Sequence, residues 1–249
     1  MITLEACCNS VQSAVEAQKG GAVRVELCNN LPEGGTTPPL SHIQKTRELI
    51  DIQLYVLIRP RGGDFCYSGI EFDTMKQDIH HCGQSKCDGV VIGILNSDGS
   101  VDKKRNAELI EIAKGYGMGV TFHRAFDRTR DIFSALEDVI SLGCERILTS
   151  GGKEKAIQAK DILRDLIAKA DGRISIMPGS GITEVNIIEL VMATDLKEFH
   201  GSFQNRHKGL TSFHSPQFQN FEEEFTYLET DSNRVKQAIE NANQERFFA

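Results

Sequence analysis

The amino-acid sequence predicts a single (β/α)8 barrel, the TIM barrel fold, and three observations support this prediction. The chain has 249 residues, close to the roughly 250 typical of this fold. Eight short runs rich in apolar and β-branched residues alternate with segments of helical periodicity, a pattern typical of parallel sheets built from βαβ units. No Gly-x-Gly-x-x-Gly turn joins the first strand and helix, which disfavours a dinucleotide-binding sheet and predicts no nucleotide cofactor.

The predicted elements follow one another without a long interruption before residue 204. Strands are expected at 2–8, 22–28, 53–60, 89–95, 119–126, 146–150, 174–178 and 198–203. Helices are expected at 10–19, 39–50, 72–82, 101–116, 131–142, 153–170, 184–193 and 232–246. Gly20 and Gly143 mark the ends of two of these helices, because glycine adopts the left-handed conformation of a helix C-terminus without a steric penalty.

The segment 204–231 is predicted to be a long loop between the eighth strand and the last helix. It is polar, contains a Ser-Pro step and shows no composition shift typical of a domain boundary. We therefore predict one domain over residues 1–249. Phenylalanines in this segment, if exposed, favour a subunit interface and hence a homo-oligomer. They are Phe213, Phe218, Phe221 and Phe225.

The composition argues against several classes of function. The net charge of -7 disfavours attraction to nucleic acid or to an anionic membrane. The N-terminus has no basic start typical of a signal peptide, and no apolar run reaches the ~18 residues of a membrane span. Seven scattered cysteines indicate a reduced compartment rather than a disulfide framework, so we predict a cytoplasmic protein.

Two cysteines at the ends of the first two strands form a candidate metal site. Side chains alternate between the faces of a strand, so Glu5 shares a face with Cys7, and Glu26 shares a face with Cys28. Because the two strands are neighbours in a barrel, the thiols are expected to lie close together above a layer of the two glutamates. A thiol pair suits a soft ion such as Cu(I). The alternative interpretation is that both cysteines are small buried apolar residues.

Basic and glycine-rich sequences at the other strand ends favour an anionic ligand. Guanidinium groups pair with phosphate or carboxylate, and backbone N–H groups of glycine-rich turns bind phosphate, although such glycines also serve simply for tight turns. The candidate anion-binding residues are Arg59, Arg61, Arg124, Ser180, Gly181 and Ser202. Candidate catalytic residues are His123, whose imidazole titrates near neutral pH, and the carboxylates Glu26 and Glu5. Together these residues favour an enzyme that acts on a small anionic or phosphorylated metabolite.

Several of these strand-end sequences occur together, in a fixed order along the chain. They are Glu5-Ala-Cys7, Arg24-Val-Glu26-Leu-Cys28, Gly34-Gly35-Thr36-Thr37-Pro38, Arg59-Pro-Arg61-Gly-Gly-Asp64-Phe65, Asp88-Gly-Val-Val-Ile-Gly93, Phe122-His123-Arg124-Ala125-Phe126-Asp127, Leu148-Thr149-Ser150-Gly151-Gly152 and His200-Gly-Ser202. In this series the chain resembles the CutC family of copper homeostasis proteins, from residue 2 to about residue 203.

The resemblance implies a (β/α)8 barrel, a cytoplasmic location and a part in copper handling. It places Cys7 and Cys28 at the positions of the suspected copper ligands. It carries over no reaction, so the sequence does not decide whether the protein is an enzyme. Three hypotheses stay open: a protein that binds Cu(I), an enzyme that acts on a small anionic molecule, and a scaffold or regulator with a degenerate site.

Overall fold

A computed structural model describes residues 1–213, 217 and 225–244, and its central feature is a barrel of eight parallel strands, as predicted. The strands are β1 (Thr3–Cys8), β2 (Arg24–Leu27), β3 (Gln53–Leu57), β4 (Gly89–Ile92), β5 (Gly119–Phe122), β6 (Arg146–Thr149), β7 (Ser175–Pro178) and β8 (Glu198–Gly201). Each overlaps a predicted strand. Several end earlier than predicted, because their last predicted residues already belong to the loops above the barrel.

Seven helices lie between consecutive strands of the barrel, and an eighth follows the last strand. They are α1 (Val11–Lys19), α2 (Leu40–Leu49), α3 (Gly69–Gln84), α4 (Lys103–Gly115), α5 (Ile132–Leu142), α6 (Lys160–Ala170), α7 (Ile187–Ala193) and α8 (Ser232–Gln244), with short 3-10 helices at Leu31–Glu33, Arg124–Arg128 and Ala156–Ala159. Helix α3 begins before the predicted residue 72, because Ser68 and Glu71 form a reciprocal capping box at its start. Residues 245 and 246 of the predicted last helix lie outside the described residues.

Within the described ranges, every helix is too short or too polar to span a membrane.

Strand pairing places the ends of β8, β1 and β2 next to one another. The hydrogen-bonded order is β7-β6-β5-β4-β3-β2-β1-β8. On β1, Glu5 lies opposite Arg24 of β2 and opposite His200 of β8. The seam between β7 and β8 is closed by side chains, since the hydroxyl of Ser175 on β7 donates a hydrogen bond to the carboxylate of Glu198 on β8.

The interior of the barrel carries a buried network of charges. Arg24 forms salt bridges with Glu5 and with Glu198, and all three residues are buried. Arg146 reaches Glu198 from the other side, with an Nε–Oε1 distance of 2.7 Å. The ring of Tyr55 lies against both guanidinium groups, with centroid distances of 5.3 Å to Arg24 and 5.6 Å to Arg146. Buried charges are tolerated only when they are paired, so these acids and arginines depend on one another.

The segment after β8 contains a two-stranded antiparallel ribbon, which the prediction of a long loop missed. Strand β9 (Gln204–Lys208) pairs with β10 (Thr226–Thr230), so the loop prediction is wrong at both ends of 204–231. Most of the residues in these strands are only partly buried or exposed. The ribbon therefore lacks the apolar alternation that identifies a strand in a sequence.

Two of the four phenylalanines expected at a subunit interface belong to the described residues. Phe213 is exposed and Phe225 is partly buried, whereas Phe218 and Phe221 lie outside the described residues. The homo-oligomer stays a prediction.

Candidate functional site

The ends of β1 and β2 bring two thiol groups together inside the barrel. The Sγ atoms of Cys7 and Cys28 lie 3.8 Å apart, and both residues are buried. The strand pairing explains this proximity. Cys7 lies opposite Glu26, and Glu26 points to the same side as Cys28, which is two residues further along the chain. The Cys7 thiol also donates a hydrogen bond to Oε2 of Glu26, at 3.4 Å.

His200 on β8 completes this group from the other side of β1. Its Nε2 lies 3.6 Å from Oε2 of Glu26. One potential ligand atom each from Cys7, Glu26 and His200 lie within 4.8 Å of one another, and all three residues are buried. We call Cys7, Glu26, Cys28 and His200 the thiol cluster. It combines two thiols, a carboxylate and an imidazole.

Burial and neighbouring groups set the protonation of the thiol cluster. The hydrogen bond with Cys28 is the larger cause, and burial the second, of a pKa of the Cys7 thiol that lies well above its usual range. This thiol is therefore protonated at neutral pH. Burial raises the pKa of Glu26. Burial on its own lowers the pKa of His200, but the charge of Glu26 and contacts with Cys7 and Glu5 raise it well above 6.5.

Glu5 lies beneath the thiol cluster and orients His200. Its Oε1 lies 2.8 Å from Nδ1 of His200, which leaves Nε2 of that ring facing the cluster. Burial on its own raises the pKa of Glu5, but the charges of Arg24 and His200 lower it to about 2. Glu5 is therefore ionised at neutral pH. A carboxylate on the far nitrogen of a histidine is the usual support of a metal-binding imidazole.

A cavity of about 490 Å³ opens above the thiol cluster, at the C-terminal ends of the strands. This volume is typical of a site for a small molecule, and far exceeds what one metal ion needs. Of the predicted anion-binding residues, Arg61 is not part of the lining, whereas the other five are.

His123 lines this cavity, but its surroundings contradict the expectation that it titrates near neutral pH. Burial, and then the charge of Arg59, lower the pKa of His123 to about 3. Its Nδ1 accepts a hydrogen bond from the backbone N–H of Ala125 at 3.1 Å, so the neutral ring carries its proton on Nε2. Among the described residues this Nε2 has no hydrogen-bond partner. At neutral pH the His123 ring is therefore uncharged and offers an N–H donor at Nε2.

Arg124 is held at the cavity wall in a fixed orientation. Its Nε donates to Oδ2 of Asp127 at 2.9 Å, and its Nη atoms donate to the hydroxyls of Ser150 at 3.0 Å and Ser180 at 3.2 Å. The side chain of Asp127 is shielded from solvent and also accepts hydrogen bonds from the backbone N–H groups of Ser150 and Gly152, after β6. The Arg124 side chain stays 38% exposed, so it presents its charge to the cavity.

The turns after β7 and β8 form the neighbouring wall. Ser180 and Gly181 have φ values of 82° and 69°, in the left-handed region. The Ser180 hydroxyl donates to the backbone carbonyl of Glu154 at 2.8 Å. The backbone carbonyl of Ser202 accepts a hydrogen bond from the hydroxyl of Thr230 at 3.1 Å, which ties the ribbon to this wall.

The two arginines after β3 take different positions. Arg59 is buried, lines the cavity and donates hydrogen bonds to three backbone carbonyls at 2.7 to 2.8 Å. Arg61 lies outside the lining and donates to Glu71 at 2.6 Å and to Asp64 at 3.1 Å. Its donors hold the β3–α3 loop to the start of α3, so the structure does not bring Arg61 to the predicted anion site.

Comparison with known proteins identifies the family. The sequence model of the CutC family matches residues 2–205. The chain belongs to the CutC family. A family protein CutC of Parabacteroides distasonis is 50% identical over 200 residues, which are 80% of this chain and 82% of that protein. One of Xylella fastidiosa is 48% identical over 199 residues, which are 80% of this chain and 74% of that protein.

A solved CutC structure from Streptococcus agalactiae, named for copper homeostasis, superposes with a TM-score of 0.77. It is 33% identical in sequence, and the match covers 81% of this chain and 99% of that chain. The two proteins therefore share the barrel.

The thiol cluster lies within the segment that matches the CutC family, but part of the cavity wall does not. Leu228 on β10 and Arg234 on α8 line the cavity and come after residue 205. Arg234 is fixed by Glu184, with Nη–Oε2 and Nε–Oε1 distances of 3.0 Å. The last part of the chain thus closes one side of a cavity whose floor belongs to the family segment.

No role was predicted for His200, or for Arg24, Arg146 and Glu198 in the charged network beneath it. The available signal is the alternation on β8, where Glu198 and His200 share the inward face just as Glu5 and Cys7 do on β1. It was not decisive, because only the closure of the barrel brings β8 beside β1.

Proposed function

We propose that this CutC family protein is a copper homeostasis protein that binds Cu(I) through Cys7 and Cys28, with His200 as a further ligand. The observation that supports this most directly is the pair of buried thiols, 3.8 Å apart, beside an imidazole at the floor of a cavity. The copper homeostasis name of the Streptococcus agalactiae relative supports the same function.

The donor set fits a soft ion. Thiolate and imidazole suit copper, whereas Mg²⁺ and Ca²⁺ require several oxygen ligands. Two sulfur atoms that each lie about 2.3 Å from one ion, as in zinc sites, are roughly 3.8 to 4.6 Å apart, from tetrahedral to linear arrangements. The separation of the Cys7 and Cys28 sulfur atoms, 3.8 Å, lies at the short end of that range.

Binding at this cluster requires the release of protons. The Cys7 thiol and the His200 imidazole both hold protons at neutral pH, because their pKa values are raised. Glu26 lies 3.4 Å from the Cys7 sulfur and 3.6 Å from Nε2 of His200, so it is placed to accept either proton. Glu5 keeps its contact with Nδ1 and so holds the imidazole in place while Nε2 loses its proton.

We also propose a cytoplasmic location. Cu(I) binding by thiolates requires reduced cysteines, and all seven cysteines are free thiols. Thiols stay reduced in the cytosol, where glutathione and thioredoxin systems act.

The test is an anaerobic competition titration between the protein and a chromophoric Cu(I) chelator, in the presence of a reductant. The unmodified protein is expected to withdraw one Cu(I) per chain from the chelator. The Cys7→Ser/Cys28→Ser double variant is expected to lose at least about a hundredfold in affinity, because both soft ligands are gone.

The matched control is the Cys82→Ser/Cys87→Ser double variant, which removes a second buried cysteine pair at the other end of the barrel. It is expected to bind Cu(I) as the unmodified protein does. Equal affinity in all three proteins, or equal loss in both double variants, would contradict a copper site at Cys7 and Cys28.

A further inference from the structure

Two buried hydrogen-bond donors beside the cavity have no partner in the described part of the chain. One is Nε2 of His123, which carries the ring proton because Nδ1 accepts from the Ala125 backbone. The other is Nε of Arg59. Both residues are 4% exposed and both line the cavity above the thiol cluster. Buried donors are rarely left unpaired in native proteins, so these two call for an acceptor.

Arg59 also lacks a counter-charge. Its Nη atoms donate to neutral backbone carbonyls, and within the described residues no carboxylate forms a salt bridge with it. A buried guanidinium without an anionic partner is costly, unlike Arg24 in the barrel interior, which has two carboxylate partners. Its side-chain neighbours are the Phe65 ring and the neutral Tyr67 hydroxyl, so an anion in the cavity would supply the counter-charge that Arg59 lacks.

The charge of the whole cavity points the same way. In the described lining, Glu26 supplies the single carboxylate, whereas Arg59, Arg124, Arg234 and His200 are basic. Arg234 is paired with Glu184 and His200 with Glu5 behind the lining, so Arg59 and Arg124 are the basic groups that face the cavity with incomplete pairing. Arg124 is only partly neutralised, since Asp127 contacts its Nε while its Nη atoms contact neutral hydroxyls. The copper ligands use the floor of the cavity and leave most of its volume of about 490 Å³ to another molecule.

We propose that this cavity is a second binding site, for a small organic oxyanion with a carboxylate or phosphate group. The anionic group lies between the guanidinium groups of Arg59 and Arg124. The N–H of His123 donates to an oxygen of the same molecule. The site is independent of copper, because none of these three residues is a proposed copper ligand.

Phe65 covers the two unpaired donors. Its ring centroid lies 5.0 Å from the His123 ring centroid and 5.0 Å from the Arg59 guanidinium carbon. The two nitrogen atoms are themselves shielded from solvent. The bound oxyanion therefore displaces the Phe65 ring, which is itself partly exposed at the cavity.

The experiment is isothermal titration calorimetry at constant ionic strength with metal-free protein. The probes are inorganic phosphate, glycerol phosphate and malonate, so that the phosphate and carboxylate classes are distinguished. Each probe is titrated into the unmodified protein and into the Cys7→Ser/Cys28→Ser variant. The variants of the proposed site are Arg124→Gln, His123→Leu, which has no donor, and His123→Gln, which keeps one. Arg164→Gln is the control, because that arginine is 54% exposed in a surface salt bridge with Asp161.

We expect saturable one-to-one binding of at least one probe, preserved in the double cysteine variant. Arg124→Gln and His123→Leu are expected to weaken it about tenfold or more, whereas His123→Gln and Arg164→Gln stay within about threefold. No saturable binding of any probe in the millimolar range overturns the proposal. So does binding of equal strength in every variant, which would report general ionic screening. Either result leaves copper binding at the thiol cluster untouched.

Discussion

Two buried cysteine pairs lie at opposite ends of the barrel, and they differ in their surroundings. Cys82 lies in the last turns of α3, Cys87 lies in the loop before β4, and both pack in the apolar core. A hydrogen bond with Cys87, followed by burial, raises the pKa of Cys82. Cys7 and Cys28 are equally buried, yet they adjoin a carboxylate, an imidazole and a cavity. A thiol pair alone is thus no sign of a metal site. The two pairs are distinguished by the side chains next to the thiols and by the presence of a cavity through which an ion could reach them.

The largest expected effect concerns the charged layer that exists beneath only one of the pairs. Arg24→Met leaves Glu5 and Glu198 buried with one partner fewer, and we expect a loss of about 3–5 kcal/mol in the free energy of unfolding. Urea denaturation measures it. The control Arg130→Met breaks an exposed pair with Asp98 and is expected to cost at most about 1 kcal/mol. Equal losses would show that the layer is not what stabilises this end of the barrel.

A smaller effect is expected when one cysteine of each pair is replaced by serine, because the two pairs differ in how much stability this change costs. Cys82→Ser places a hydroxyl among apolar side chains and is expected to cost about 1–3 kcal/mol of stability. Cys7→Ser is expected to cost less, because Glu26 lies close enough to accept from the new hydroxyl. Urea denaturation of the two single variants makes the comparison. A greater loss for Cys7→Ser would reverse the assignment of polar and apolar ends.

A third expected effect, small for each proton and each pH unit but cumulative over the range, is the pH dependence of Cu(I) binding. The pKa values of Cys7 and His200 are raised, so the free protein holds protons that the bound form has lost. Affinity therefore rises with pH, by about tenfold per pH unit for each proton released, or about 1.4 kcal/mol. Competition titrations between pH 6 and pH 8, with the chelator's own pH dependence subtracted, give the slope. A flat profile would mean that these groups are not ligands.

The sequence was sufficient for the barrel and for the thiol pair. Strand alternation and neighbouring strands together predict that Cys7 and Cys28 meet, and their sulfur atoms lie 3.8 Å apart. The place of His200 beside the thiols could not be predicted in this way. Its contact with Glu5 depends on the pairing of β8 with β1, and these two strands lie far apart in the sequence. Arg59 and Arg61 are two residues apart, and only the path of the β3–α3 loop decides which of them lines the cavity.

The same limit explains His123. Its type and its place at a strand end suggest an acid or base, but burial and the charge of Arg59 lower its pKa to about 3. Neither the burial of His123 nor the hydrogen bond that it accepts from the Ala125 backbone can be predicted from the sequence alone. The ribbon of β9 and β10 was not predicted for a different reason. Its strands pair only with each other within the described residues, and they carry few apolar residues, so they lack the pattern by which a strand is recognised in a sequence.

The position of Leu228 and Arg234 at the cavity wall has a consequence for engineering. The floor of the cavity lies in residues 2–205, which match the CutC family, whereas this part of the wall comes from residues that follow them. Substitutions at these two positions alter the shape and charge of the entrance while every proposed copper ligand stays in place. The choice of molecules that enter the cavity can therefore be changed separately from the proposed copper site.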